Sequence, residues 1–252
     1  MASGEYEANR QGGLRPVRRH RWDLTPRQAI ALQARMRARL IVRGGPRSPR
    51  LVAGADVAYD KARGRCYAAV VVLNLPELRM VEYASAERAV RFPYVPGLLS
   101  FREGPAVLAA LARLRHRPDL LMFDAHGYAH PRRFGLAAHL GYLLDVPSIG
   151  CAKSVLVGEH GAVGCEAGSF AWLVDRGERV GAALRTRAGV RPVYISPGHR
   201  VGFRQALRLA LMAVGKFRVP EPTRLADIMV ARLKREAAVA NAPGATALRA
   251  RR

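Results

Sequence analysis

Apolar residues recur along the chain with two different periods, and the changes between them mark out helices and strands. Ala29, Leu32, Met36 and Leu40 share one helical face. They follow Thr25-Pro26-Arg27-Gln28, which offers a capping hydroxyl, a proline for the first helical position and a Gln three residues past the cap. The opposite face, with Arg27, Arg35, Arg37 and Arg39, is either solvated or lies against a polyanion. Residues 51–59 and 66–75 are β-rich runs whose short connection, 60–65, suits a hairpin, and a third strand is predicted over 80–90. A proline-rich loop over 92–99 precedes a helix that aligns Val107, Leu108, Leu111 and Leu114.

Residues 119–123 are apolar without alternation, which predicts a strand covered on both faces. A helix presenting Leu136, Leu140, Leu143 and Leu144, then a strand over 146–151, completes a strand, helix, strand unit. Further strands are predicted over 170–174, 180–186 and 192–195, before a helix with Phe203, Leu207, Ala210, Leu211 and Val214. An antiparallel meander followed by parallel units makes an α/β fold, a mixed sheet with helices on both faces. Residues 1–21 and 236–252 are rich in arginine and poor in large apolar groups, so flexible basic tails are expected on either side of one domain over 22–235.

Charge narrows the class of partner. The chain has 42 Lys plus Arg against 19 Asp plus Glu, a formal net charge of +23, and only 4 of the basic residues are lysine. A polyanion is the natural partner. Arginine's planar fork suits phosphate oxygens, although a G- and C-rich genome would give the same excess of arginine over lysine. Cys66, Cys151 and Cys165 have neither disulfide-framework nor metal-ligand spacing, which points to reduced thiols and a cytoplasmic protein. No run approaches the ~20 apolar residues of a membrane span, so no membrane partner is expected.

Asp56 stands inside an otherwise apolar strand, where an uncompensated carboxylate would cost several kcal/mol or shift its pKa. Asp124 closes Leu120-Leu-Met-Phe-Asp124, and the carboxyl ends of parallel strands are where α/β folds bind ligands. Two such aspartates side by side suit a hard cation such as Mg²⁺; each alone could equally cap a turn or pair with an arginine. Glu103 closes Ser100-Phe-Arg-Glu103, a capping-box pattern that would by itself explain it. In the loop after Asp124, His126 and His130 lack zinc-motif spacing and read first as hydrogen-bonders, while Arg132 and Arg133 could grip phosphate. Lys153, at the carboxyl end of a strand, is either a point cation for phosphoryl transfer or solvated. The stiff loop Phe92-Pro-Tyr-Val-Pro-Gly97 either displays Tyr94 as a wedge or packs it on the core.

Six segments in order carry a resemblance. They are Val52-Ala-Gly-Ala-Asp56-Val-Ala-Tyr59; Pro93-Tyr-Val-Pro-Gly97 with Ser100-Phe-Arg-Glu103; Asp124-Ala-His-Gly127 through Ala129-His-Pro-Arg-Arg-Phe-Gly135; Ile149-Gly-Cys-Ala-Lys153; Ser196-Pro-Gly-His199; and Pro220-Glu-Pro-Thr-Arg224. Over about residues 23–230 the chain resembles the endonuclease V family, deoxyinosine-directed nucleases with a ribonuclease H-like fold. The resemblance implies that Asp56 and Asp124 coordinate Mg²⁺, with Mn²⁺ able to substitute, that Glu103 completes the acidic cluster, and that His130 and Lys153 lie close to the reacting phosphate. It also implies a strand-separating wedge at Pro93, Tyr94, Val95 and Pro96, with Tyr94 at the tip. The altered base would enter a pocket formed by residues 97–99 and 125–127, including Gly97, Leu99, Ala125 and Gly127. Cleavage would fall on the 3′ side of the lesion, leaving a 3′-hydroxyl and a 5′-phosphate.

The expected partner is DNA containing deaminated bases, met by a monomer. Inosine-containing RNA, branched DNA, or nucleic-acid binding without catalysis are the alternatives. Two positions depart from the family pattern: Ala125 stands where glycine is usual, and Asp227 stands where a histidine often follows Pro-Glu-Pro-Thr-Arg224.

Overall fold

A computed structural model describes residues 12–240. The elements run α1 (Pro26–Arg37), β1 (Leu51–Asp60), β2 (Arg65–Asn74), β3 (Met80–Ala89), α2 (Leu99–Leu111), β4 (Leu120–Phe123), α3 (Leu136–Leu144) and β5 (Ser148–Ala152). They continue with β6 (Phe170–Asp175), β7 (Glu178–Leu184), β8 (Val193–Pro197), α4 (Phe203–Met212) and α5 (Glu221–Ala240). All eight strands form one sheet in the order β3-β2-β1-β4-β5-β8-β7-β6. The pairs β1·β4 and β4·β5 are parallel and the others antiparallel.

Strand β4 is buried on both faces, as its unbroken apolar run requires. Leu121 and Phe123 face a core shared with Val107 and Leu111 of α2 and Leu140 and Leu143 of α3. Leu120 and Met122 face the opposite core, shared with Ala206, Leu209 and Ala210 of α4. Each such large side chain, removed from water, contributes roughly 1.5–3 kcal/mol, enough to hold a four-residue strand at the centre of the sheet. At α1 the Thr25 hydroxyl accepts from Gln28 N–H at 3.3 Å while the Gln28 side chain accepts from Thr25 N–H at 2.9 Å, the predicted reciprocal cap.

Helix α5 is absent from the pattern read above, yet Ala226, Met229, Val230, Leu233 and Ala237 recur at helical spacing and cover Tyr67, Ala69, Val71 and Leu73 of β2. Its first turn meets β1 at Gly54. A β-carbon there would stand 2.0 Å from the carbonyl carbon of Pro222, so only glycine lets the helix approach the strand that carries Asp56.

The expected tails need correcting where the structure describes them. Leu14 is buried and its N–H donates to the Leu111 carbonyl at 3.0 Å, while the N–H groups of Val17 and Arg18 both reach the Leu143 carbonyl. The Arg18 guanidinium pairs with Asp145 at 3.0 Å and lies 4.6 Å above the Tyr142 ring. Residues 12–21 are thus a strap across α2 and α3, anchored by Leu14, the Arg18–Asp145 pair and main-chain bonds that composition does not reveal. At the other end, residues 236–240 continue α5. The rest of both expected tails, 1–11 and 241–252, lies outside the described residues. Among those described, no helix is long and apolar enough to cross a membrane.

Candidate metal and nucleic-acid site

The parallel register of β1 and β4 pairs Ala55 with Phe123, so the next residue on each strand, Asp56 and Asp124, sits at the same end of neighbouring strands. Glu103 approaches from α2, where its Oε1 accepts the Tyr59 hydroxyl at 2.9 Å. The capping alternative for Glu103 is not what forms. Helix α2 begins at Leu99 with Leu98 as its cap residue, and Ser100, already inside the helix, is bonded through its hydroxyl to Nδ1 of His139 at 2.8 Å. The arginine-pairing alternative for the aspartates fails too. Asp124 pairs with the Lys153 ammonium, and Asp56 accepts from the Val57 N–H.

Lys153, just past β5, also stands 3.6 Å from Asp227 of α5. Asp227 therefore joins the cluster. The sequence pattern gives it no role; the helical spacing of residues 226–237 is the signal that places it on a helix over β1.

Electrostatics mark the cluster as short of positive charge. Burial, reinforced by the negative charges of Asp124 and Asp227, pushes Asp56 up to about 7. Burial, with the charges of Asp56 and Asp124 added, pushes Glu103 up to about 8 despite the hydrogen bond from Tyr59. Burial alone would lower Lys153, but its contacts with Asp124 and the further charge of Asp227 hold it above the ordinary lysine value. Among the described residues no three carboxylate, imidazole or thiolate side chains converge as a ready-made metal cage. The chemistry of the donors, all hard carboxylate oxygens, fits a hard divalent cation and no soft one.

Beside the aspartates lies a cavity of about 330 Å³, walled on one side by Tyr94, Val95, Pro96, Gly97 and Leu99 and on another by Ala125 and His126. Tyr94 is 74% exposed at the loop's tip, the display geometry of the two alternatives. The loop is clamped at one atom: the Gly97 carbonyl accepts from Gln33 at 3.1 Å, His130 Nε2 at 2.9 Å and Arg132 at 2.7 Å. His130 Nδ1 accepts from the Arg132 N–H at 3.2 Å, so both its ring nitrogens are taken by main chain. Burial, with Arg132 beside it, lowers His130 to about 4 and keeps it neutral.

Three expectations for this loop region shift. Arg133 is buried and bound to Asp175 at 2.7 Å and Glu178 at 2.7 Å, which ties it to the β6–β7 hairpin instead of leaving it open to phosphate. Arg132 is half-buried and engaged with Gln33 and Gly97. Gly127 lies off the cavity wall, where its N–H donates to the Ser196 hydroxyl at 2.9 Å and holds the loop on β8. Ala125 is in the wall.

A mixed sheet whose two central parallel strands end in adjacent aspartates, with a lysine and further carboxylates around them, defines an α/β nuclease of ribonuclease H-like type. Comparison with known proteins refines the class. The family model for Endonuclease V matches residues 34–228. Endonuclease V of Roseiflexus sp. is 53% identical over 208 residues, 82% of this chain and 93% of that one. The crystal structure of Endonuclease V from Streptomyces avermitilis superposes with a TM-score of 0.82 at 46% identity, covering 86% of this chain and 96% of that chain. Endonuclease V of Ciona intestinalis, in complex with a DNA containing an inosine followed by a ribo-adenosine, shares the fold with a TM-score of 0.72 at 24% identity over 84% of this chain and 98% of that chain. The chain belongs to the endonuclease V family and is an endonuclease.

Proposed function

We propose that this endonuclease recognises deaminated adenine in DNA, takes the hypoxanthine base into the 330 Å³ cavity, and hydrolyses a phosphodiester on the 3′ side of the lesion. The observation that carries the reading is the juxtaposition of Asp56 and Asp124 beside a cavity overhung by the exposed ring of Tyr94. Family membership supports it, as does the inosine-containing DNA held by the Ciona relative. Mg²⁺, replaceable by Mn²⁺, would be held by Asp56 and Asp124 with Glu103 completing the set. When bound, such a cation polarises a phosphoryl oxygen, makes water a better nucleophile and stabilises the leaving oxygen.

The protein's own groups supply the rest. Tyr94, on a loop stiffened by Pro93 and Pro96 and clamped at Gly97, fills the gap left when a base leaves the stack. A cavity faced by the main chain at Gly97 and by Ala125 discriminates by shape, since hypoxanthine lacks the exocyclic amine of guanine. Lys153, held by Asp124 and Asp227, places a fixed positive charge next to the carboxylates where phosphate charge develops. Asp227 adds a fourth carboxylate to the cluster.

With Mg²⁺ present, the protein is expected to nick a duplex containing one deoxyinosine, and Asp124→Asn to lower single-turnover cleavage by roughly 10³-fold or more, the scale of a lost metal contact, while retaining binding. Normal cutting by that variant would sink the metal assignment. The same assay on matched inosine RNA, single- and double-stranded, fixes the preferred substrate.

A further inference from the structure

The loop that carries Tyr94 is a ridge with a concavity on each side. On one side lies the cavity described above. On the other, two adjoining hollows of about 630 and 340 Å³ share Arg91, Phe92, Pro93 and Arg102. Pro93 borders this second groove while Tyr94 to Gly97 border the first.

The two sides differ in charge. The second groove gathers Arg88, Arg91, Arg102 and Lys61. Its two acids are engaged by arginines that do not line it: Asp23 pairs with Arg21 at 3.0 Å, and Asp60 with Arg63 at 3.5 Å. Arg91 and Lys61 are exposed, with Arg91 in electrostatic reach of Asp23. Aromatic surface is interleaved with this charge. Trp22 is half-buried and opens onto the groove, while Phe92 is buried beneath it, and both pack on Phe101 at 6.0 and 5.5 Å between ring centroids. Trp22 is seated firmly because α2 has glycine beneath it: a β-carbon at Gly104 would come within 2.7 Å of the indole. Arg102 lies 4.7 Å above the Tyr59 ring and donates to the Phe92 carbonyl at 3.0 Å, which holds its guanidinium flat along the wall.

Cationic side chains that track phosphates, alternating with fixed aromatic faces, are how proteins bind unpaired nucleotides without reading their sequence. A wedge driven into a duplex leaves one strand on each of its sides. Resting on the functional reading above, which puts the lesion-bearing strand in the first cavity, we propose that the groove of Arg88, Arg91, Arg102 and Trp22 holds unpaired nucleotides of the strand opposite the lesion. The enzyme then grips both strands of the opened duplex, one for chemistry and one to keep the duplex open.

The test compares binding of an inosine duplex with that of the inosine strand alone, by fluorescence anisotropy across a salt series. R88E/R91E changes two exposed residues and should leave the melting temperature unaltered. Its duplex affinity is expected to fall roughly tenfold or more, and its log–log salt slope to drop by roughly two, with single-strand affinity held within about twofold. The control R176E/R187E makes the same change of charge at the opposite edge of the sheet and should leave the duplex-to-single-strand ratio unmoved. Equal loss on both substrates, an unchanged duplex affinity, or an equal effect from the control would overturn the proposal. The readout is binding, so it is separate from the functional reading: a wild-type protein that failed to cut deoxyinosine would sink that reading, while the groove still stands or falls on the ratio.

Discussion

The carboxylate cluster and the wedge clamp lie on adjacent sides of one cavity, but they are held in place by opposite means. Asp56 and Asp124 ride on strands buried in the sheet, and their alignment follows from the β1·β4 register. The wedge loop has no ladder of its own and hangs from one carbonyl that takes three donors. One region is placed by backbone geometry and gathers buried carboxylates; the other is placed by side chains, the neutral imidazole of His130 and the guanidinium of Arg132 among them. On the proposed function, precision for chemistry is built into the rigid sheet, and recognition is hung on a loop whose attachment can be tuned.

The sharpest way to break the cluster without touching a carboxylate is Gly54→Ala. The added methyl would meet the Pro222 main chain, so α5 must shift and carry Asp227 away from Lys153. Overpacking against backbone is expected to lower stability by about 3 kcal/mol and to depress cleavage, read by denaturant unfolding and by single-turnover cleavage of the surviving folded fraction. A variant as stable and active as wild type would mean that α5 does not govern the site.

The two regions also answer pH with opposite signs. Asp56 and Glu103 have folded values raised to about 7 and 8 from ordinary values of 3.8 and 4.5. Their protonated forms therefore favour the fold fully below about pH 4, and that contribution is lost as pH rises through 7 to 8. His130 is lowered from 6.5 to about 4, so its contribution is present above pH 6.5 and lost as pH falls through 4. Between pH 6 and 8.5 the melting temperature of metal-free protein should fall, Asp56→Asn should flatten the fall, and added Mg²⁺ should reverse it by binding the folded state. Parallel curves for wild type and Asp56→Asn would refute the assignment.

The contrast also explains what could be read from sequence. The aspartates are legible because an acid inside an apolar strand, or just after one, is a local signal; the parallel β1·β4 register brings the two together. Glu103 was ambiguous because Ser-x-x-Glu matches a capping box whichever residue starts the helix; here Leu99 starts it and His139 takes the serine. Arg133 looked free because its acids, Asp175 and Glu178, lie more than forty residues away on a hairpin. Asp227 is legible only once the helical spacing of Ala226, Met229, Val230, Leu233 and Ala237 is read as α5. Residues 12–21 looked like a tail because their anchoring relies on main-chain bonds and the single buried side chain of Leu14. Long-range pairing of charge and backbone was the common blind spot.

His130→Ala tests whether the clamp serves binding or chemistry. Removing one of three donors to the Gly97 carbonyl should weaken duplex engagement by about 1–1.5 kcal/mol, raising KM roughly tenfold with kcat within about threefold. A kcat loss near 10³ with KM unchanged would put His130 at the phosphate instead.

The smallest effect belongs to Ala125, where the two regions meet. Ala125 lines the cavity beside Asp124 and is only 7% exposed, so on the proposed function a bound base packs against it. Ala125→Gly leaves every carboxylate in place and enlarges the space, at about 0.5–1 kcal/mol of added chain entropy. One methyl group in an apolar wall discriminates by at most about 1–3 kcal/mol. Deoxyinosine cleavage should therefore change little, while deoxyxanthosine, which carries an extra oxygen at the purine C2 position, should gain severalfold in kcat/KM. The ratio of the two substrates is the measurement, because a general loss of stability would lower both together. An unmoved ratio in a normally folded variant would mean that the base is chosen by the Gly97 side of the cavity, and that the clamp rather than the strand end sets specificity.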